Sequence, residues 1–274
     1  MVLWLAAIQR KQGPPTKIQL HYGSGFSSFS HTMKHFVASH RRSGTHLTLD
    51  NLVSNFAGFQ NGFANFDKTG ISAKFSLYKT HIDGQQAADC LENDSQVIYV
   101  FRDGRDVMVS LYHYTISHDS KFKGISFSDF IRSPNPYNVT ESCAGFDRIQ
   151  YWNHHVQTWL QQKQFPILFL SFDRWKYSFE KILSEVEAFC GSKRNAKLKS
   201  MLRTGNENLA HRILRKIGLS GSTSVQFRGG RTSQWKDYFN EESLKYFDEI
   251  SKPTMDLLWQ QDSYRNSMQD KDMK

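Results

Sequence analysis

No apolar run in this 274-residue chain approaches the roughly 20 residues needed to span a bilayer. The N-terminal run Val2 to Ile8 is short and has no basic segment before it, so neither secretion nor membrane anchoring is expected. Cysteine is scarce. Cys90, Cys143 and Cys190 form an odd set at wide spacing, which excludes a disulfide framework and reads as buried thiols of a reduced, cytoplasmic compartment. Asn138-Val139-Thr140 then reads as a chance glycosylation sequon. The length suits one large α/β domain or two small ones, and no linker, low-complexity run or internal repeat divides the chain. There is no polybasic block either. A formal charge of +9 with a pI near 9.4 is spread along the chain, which favours an anionic small molecule over nucleic acid or a membrane surface. His31, His35, His40, His46, His154 and His155 lack a ligand framework with cysteines or carboxylates, so no metal site is expected.

What the chain does carry is concentrated in a few segments. Val97 to Phe101 is a β-branched and aromatic run that reads as a buried strand. Asp103-Gly104 breaks it, and a helical pattern runs on from Asp106. Arg102 and Ser110 are eight apart, at the strand's end and two turns into the helix, where both could reach one phosphate. A second strand, Lys34 to Ser39, leads into His40-Arg41-Arg42-Ser43-Gly44-Thr45-His46 and a helix from Leu47 to Phe56. A small-residue cationic loop before a helix N-terminus offers backbone N–H groups and about half a positive charge to one anion. It is not a nucleotide triphosphatase loop, because the Gly-x4-Gly-Lys-Ser/Thr spacing is absent. A third segment, Phe227 to Phe239, sets Gly229-Gly230 between Arg228 and Arg231, with Trp235 and Phe239 able to anchor its C-terminal end. Alone, each segment reads first as ordinary structure: a core-strand arginine, a helix cap, an exposed loop.

In this order, the three segments resemble the sulfotransferase family that uses 3′-phosphoadenosine 5′-phosphosulfate (PAPS), most nearly its soluble, cytosolic type. Arg41, Arg42, Ser43, Gly44, Thr45, His46 and Leu47 match the loop Pro-Lys-Ser-Gly-Thr-Thr-Trp, which in the family holds the 5′-phosphosulfate. Arg102 and Ser110 match the pair that holds the 3′-phosphate. Arg228, Gly229 and Gly230, and on to Lys236, match the late Arg-Lys-Gly-x-x-Gly-Asp-Trp-Lys loop that folds over the same phosphate. Lys79-Thr80-His81, after a strand from Lys74 to Tyr78, matches the family's catalytic Lys-Thr-His.

The departures are as specific as the matches. Arg42 replaces a lysine, exchanging a mobile point charge for a fixed fork. His46 and Leu47 replace the second threonine and the tryptophan that stacks on adenine. Phe172, at the end of a strand from Ile167 to Ser171, replaces a tyrosine that faces the adenine. Gly229 replaces a phosphate-contacting lysine, a charge that Arg231 could restore, and Ser233 and Gln234 replace glycine and aspartate.

Helices are expected over 84–92, 145–162, 176–190 and 241–261, and their alternation with strands argues for a parallel sheet covered on both faces. Ligands then belong at the C-terminal strand edge, where Arg42, Lys79, Arg102 and Phe172 all fall. The expected architecture is one α/β domain over residues 31–274, a central parallel sheet with a P-loop-like phosphosulfate loop, preceded by an irregular cover over 1–30. The resemblance implies sulfuryl transfer from PAPS, with PAP as product and no metal, to a hydroxyl, amine or guanidinium nitrogen of a small-molecule acceptor. His81 would act as general base, and Lys79 and Arg42 would offset developing charge.

Phe56, Phe59 and Phe63, with Phe66, read as core packing or as an aromatic wall of the acceptor pocket. Tyr112 and Tyr114 fall where the family presents aromatics to the acceptor, or pack along their helix. The alternative to an enzyme is a PAP- or PAPS-binding, or nucleic-acid-binding, module that keeps the scaffold without the chemistry. A kinase would demand a first loop that this chain lacks. Neither the acceptor nor the oligomeric state is written in these residues.

Overall fold

In the computed structural model, residues 33–137, 140–201 and 232–261 are described. They fall within one compact unit that begins at Met33. The chain runs through β1 (His35–Ala38), α1 (Thr45–Asn55), β2 (Ala64–Asn65), α2 (Phe66–Thr69), β3 (Leu77–Thr80) and α3 (Gly84–Cys90). It continues through β4 (Gln96–Phe101), α4 (Gly104–His118), α5 (Phe127–Arg132), α6 (Arg148–Gln161) and β5 (Ile167–Ser171). The helices α7 (Arg174–Tyr177), α8 (Phe179–Cys190) and α9 (Glu241–Gln260) come last.

The five strands form one sheet in the order β2-β3-β1-β4-β5, and every pairing is parallel. Alternate residues of a strand face opposite sides of the sheet. Phe36, Tyr78, Tyr99 and Phe101 pack on one face with Trp152 and Trp159 of α6, Met108 of α4 and Phe247 of α9. Val37, Leu77, Ile98, Val100 and Leu170 pack on the other with Leu49 and Leu52 of α1 and Ile182 and Val186 of α8. Both faces are covered, as an all-parallel sheet requires.

β1 lies between β3 and β4, with Ala38 opposite Thr80 on one side and Tyr99 on the other. The loop after β1 is therefore flanked by the segments that leave β3 and β4. Connections from the central strand to both sides open a crevice at the C-terminal ends. That is where the sequence puts its cations.

Several boundaries differ from the sequence reading. β3 begins at Leu77, not Lys74, because residues 72–75 close into a turn whose carbonyls at Ser72 and Phe75 accept the Tyr78 hydroxyl. Lys79 and Thr80 thus lie within the strand, and His81 is the first residue beyond it. α4 starts at Gly104, since the Asp103 carboxylate accepts the Arg105 N–H and caps the helix. α6 starts at Arg148 behind a capping box of Asp147 and Gln150. The helix expected over 176–190 is two helices, broken at Ser178. The thiols are not uniformly buried: Cys143 is, Cys190 is partly covered, and Cys90 at the end of α3 is exposed. Among the described residues no helix is long and apolar enough to cross a membrane, and no group of three or more His, Cys, Asp or Glu side chains could hold a metal ion.

Candidate active site

The loop after β1 contains two residues with left-handed backbone, Arg42 at φ 72° and Gly44 at φ 103°. Gly44 occupies the cap position of α1 and makes no side-chain cap bond, so it does not occupy the first-turn N–H groups. Two constraints hold that glycine in place. The backbone angle disfavours any β-carbon, and one built there would stand 2.4 Å from Cδ2 of Phe172. Gly44→Ala is therefore expected to destabilise the fold by about 1–2 kcal/mol from the left-handed backbone, with displacement of the ring added. A lowered midpoint in urea unfolding is the readout, and an unchanged midpoint would show that the loop and ring shift freely.

Phe172 itself is buried, with the Arg102 guanidinium 4.9 Å and the Lys176 ammonium 5.6 Å from its ring centre. The ring that the sequence reading aims at adenine packs between the first loop and the cation that follows β4. Arg102 is 8% exposed, and its Nη2 lies 3.6 Å from the Asp106 carboxylate one turn into α4. Burial works against the Arg102 charge, while the carboxylates of Asp106, Asp173 and Asp103 sustain it.

The two phosphate motifs meet directly. Arg42 Nε–H donates to Ser110 Oγ at 3.2 Å, and the same guanidinium lies 4.9 Å from the centre of the Tyr114 ring. Residues 68 positions apart in sequence thus share one contact. Ser43 and Thr45 are buried beneath the loop, and the Thr45 hydroxyl shares a 2.6 Å hydrogen bond with Ser39. His46, in the first turn of α1, lies beside Phe63, with ring centres 6.3 Å apart. Burial, with Lys79 and Arg42 nearby, lowers its pKa to about 4. Leu47 packs against the core on the α1 side of the sheet.

His81 is held from both sides. Its Nδ1 is 2.8 Å from the Ser39 carbonyl, which can only accept, so Nδ1 carries the hydrogen and Nε2 the lone pair. Its backbone N–H donates to Asp67 at 3.1 Å, and the Thr80 hydroxyl donates to the same carboxylate at 2.6 Å. Burial first, opposed by the Ser39 carbonyl and reinforced by Lys79, Arg41 and His40, lowers the His81 pKa to about 3. Desolvation likewise lowers Lys79, against the pull of Asp67. Beneath His81 lies a buried polar layer. His155 donates from Nε2 to the His81 carbonyl at 3.3 Å and accepts the Tyr99 hydroxyl at Nδ1 at 3.0 Å.

The remaining candidates divide. Phe56 and Phe59 are fully buried in the core between sheet and α1, so they form no pocket wall. Phe63 is half-buried and lines a groove with Val53 and Met201. Tyr112 donates to the Ile125 carbonyl and packs among Phe127, Phe130 and Tyr238. Tyr114 stacks on His118 beneath Arg42. Arg228, Gly229 and Gly230 lie outside the described residues. The end of that motif is described: the N–H groups of Ser233 and Trp235 donate to Asp106 at 2.8 and 3.1 Å, and the Arg105 guanidinium lies 3.9 Å over the Trp235 ring.

Asp106, Asp67 and Ser39 were not singled out from sequence. Arg102 lies between β4 and α4, so its approach to Asp106 follows from the strand-to-helix turn and left no periodic signal. Asp67 precedes its partners by 13 and 14 positions and left none.

The family model for the sulfotransferase domain matches residues 33–258, and the chain belongs to that family. Mouse sulfotransferase 1B1 is 23% identical over 174 residues, 60% of this chain and 55% of that protein. Rat sulfotransferase 1C2 is 24% identical over 201 residues, 69% of this chain and 64% of that protein. The chain thus spans under two thirds of the length of these relatives. The crystal structure of mouse sulfotransferase SULT7A1 complexed with PAP superposes with a TM-score of 0.59, at 19% identity, covering 86% of this chain and 89% of that one. That likeness supports the shared fold.

Proposed function

We propose that this chain transfers a sulfuryl group from PAPS to a hydroxyl or nitrogen nucleophile of a small-molecule acceptor. One observation carries the reading. A neutral His81 with a fixed tautomer stands beside Lys79, on the strand next to a loop whose Arg42 reaches Ser110. The residues fit the donor's chemistry: guanidinium, hydroxyl and ammonium groups converge at one sheet edge, with Gly44 leaving the helix cap bare of side chain.

In this reading His81 Nε2 takes the acceptor's proton as the acceptor–sulfur bond forms. The bond from sulfur to the bridging phosphate oxygen breaks, and its electron pair stays on that oxygen. Arg42 and Lys79 offset the charge there and on the sulfuryl oxygens. The Ser39 carbonyl stabilises the hydrogen on Nδ1 and so favours the imidazolium that forms. A donor bearing about four negative charges opposes the lowering that Lys79 and Arg41 impose on His81, so it brings the base nearer its working range.

Arg102, Ser110 and Arg228 are assigned to the 3′-phosphate. The chain is expected to bind PAP far more tightly than adenosine 5′-phosphate, and Arg102→Ala should remove most of that preference, about 1.5–3 kcal/mol for a charged hydrogen bond. Calorimetry with both nucleotides checks this. Equal affinity in the unaltered protein would overturn the assignment, and tight PAP binding with no transfer to any acceptor would leave a binding module in place of an enzyme.

A further inference from the structure

Two neighbouring arginines of the first loop go different ways. The left-handed backbone at Arg42 turns the chain there, and Arg42 reaches across to α4. Arg41 instead extends toward the segment between α5 and α6, where its guanidinium carbon lies 4.5 Å from the centre of the Tyr137 ring. Its Nε is buried with no hydrogen-bond partner among the described residues. None of the ion pairs found among the described residues includes it.

Arg41 is nevertheless close enough to lower both His81 and Lys79 by its charge. Asp67, the carboxylate nearest in effect to Lys79, is engaged by the Thr80 hydroxyl and the His81 N–H. The base is therefore within electrostatic reach of a partly buried guanidinium that has no carboxylate partner among the described residues. The buried Nε is a donor that a ligand can complete. The aromatic face behind it would hold the guanidinium plane while leaving its N–H fork for a planar anion.

We infer that Arg41, backed by Tyr137, anchors a carboxylate on the acceptor, so that the acceptor is a hydroxyl- or amine-bearing organic acid. This rests on the sulfuryl-transfer reading and deepens it. The resemblance places Arg41 in the phosphosulfate loop, but Arg42, Ser110 and Arg102 already serve the donor's anions, and Arg41 turns toward Tyr137 instead. A carboxylate brought beside a polyanionic donor also needs such a counter-charge to approach at all.

The test is binding to the protein saturated with PAP, by calorimetry, using matched acceptor pairs. One pair is para-hydroxyphenylpropionate and its primary amide; alcohol and amine analogues of the same design complete the panel. In at least one pair, the carboxylate is expected to bind tenfold or more tightly than the amide. Arg41→Ala should bring that ratio close to one, and Arg41→Lys should keep part of it. Because the ratio compares two ligands on one protein, any loss common to both cancels. No carboxylate preference anywhere in the panel, or a preference that survives in Arg41→Ala, overturns the inference while leaving the transfer reading intact. Failure of PAP itself to bind overturns the transfer reading, and this inference with it.

Discussion

His81→Ala is expected to lower single-turnover sulfuryl transfer by two or more orders of magnitude while PAP affinity changes little. The loss corresponds to roughly 3 kcal/mol or more of transition-state stabilisation. The separation arises from geometry. His81 is fixed through the Ser39 carbonyl and Asp67, whereas the residues assigned to the donor phosphates sit on the first loop, at the end of β4 and on α4. The pH dependence gives a second readout. With its pKa near 3, the imidazole is neutral throughout the range in which an ordinary histidine titrates. Apart from the second ionisation of the donor's own 3′-phosphate, at about pH 6, the kcat/KM for the donor should therefore show no acid limb from the free protein's base between about pH 5 and 7. Transfer by His81→Ala at a near-unaltered rate would show that the acceptor needs no base, or that another group serves.

The position of His81 was legible because motif and strand adjacency agree. The sequence reading set Lys79-Thr80-His81 just after a strand; it lies at the end of β3, and a strand beside β1 brings it to the same edge as the first loop. The three-strand convergence was readable for the same reason: each cationic segment follows a run of β-branched or aromatic residues. What escaped was support from distant sequence. Asp67 holds the His81 N–H from α2, and His155 reaches the His81 carbonyl from α6, 74 positions later. No local pattern announces such bonds, because they exist only once the sheet has formed. The aromatic segment divides between its two readings. Phe56, Phe59, Phe63 and Phe66 look alike in sequence, yet the 3₁₀ turn over Ala57–Phe59 sends the first two into the core and leaves Phe63 half-exposed. Phe172 was assigned by position to the adenine, but only the sheet's geometry could reveal that Gly44 and Arg102 enclose its ring.

Asp106→Ala is expected to cost about 3–5 kcal/mol of stability, the range for removing one partner of a buried ion pair. Asp106 is 3% exposed, and its carboxylate serves three groups from two parts of the chain: the Arg102 guanidinium and the N–H groups of Ser233 and Trp235. Truncation would take from the buried Arg102 cation the first of the three carboxylates that sustain it, and would remove the acceptor of two amides. Asp106→Asn keeps the shape and one acceptor oxygen but loses the charge, so it should be damaged less. Urea unfolding measures the loss, and Trp235 fluorescence reads whether the segment has left α4. If Asp106→Ala loses under about 1 kcal/mol, the carboxylate is not the tether these distances describe. If the large loss appears, Asp106 joins stability to function through one carboxylate. It both steadies the arginine assigned to the 3′-phosphate and fixes the end of the late loop beside it.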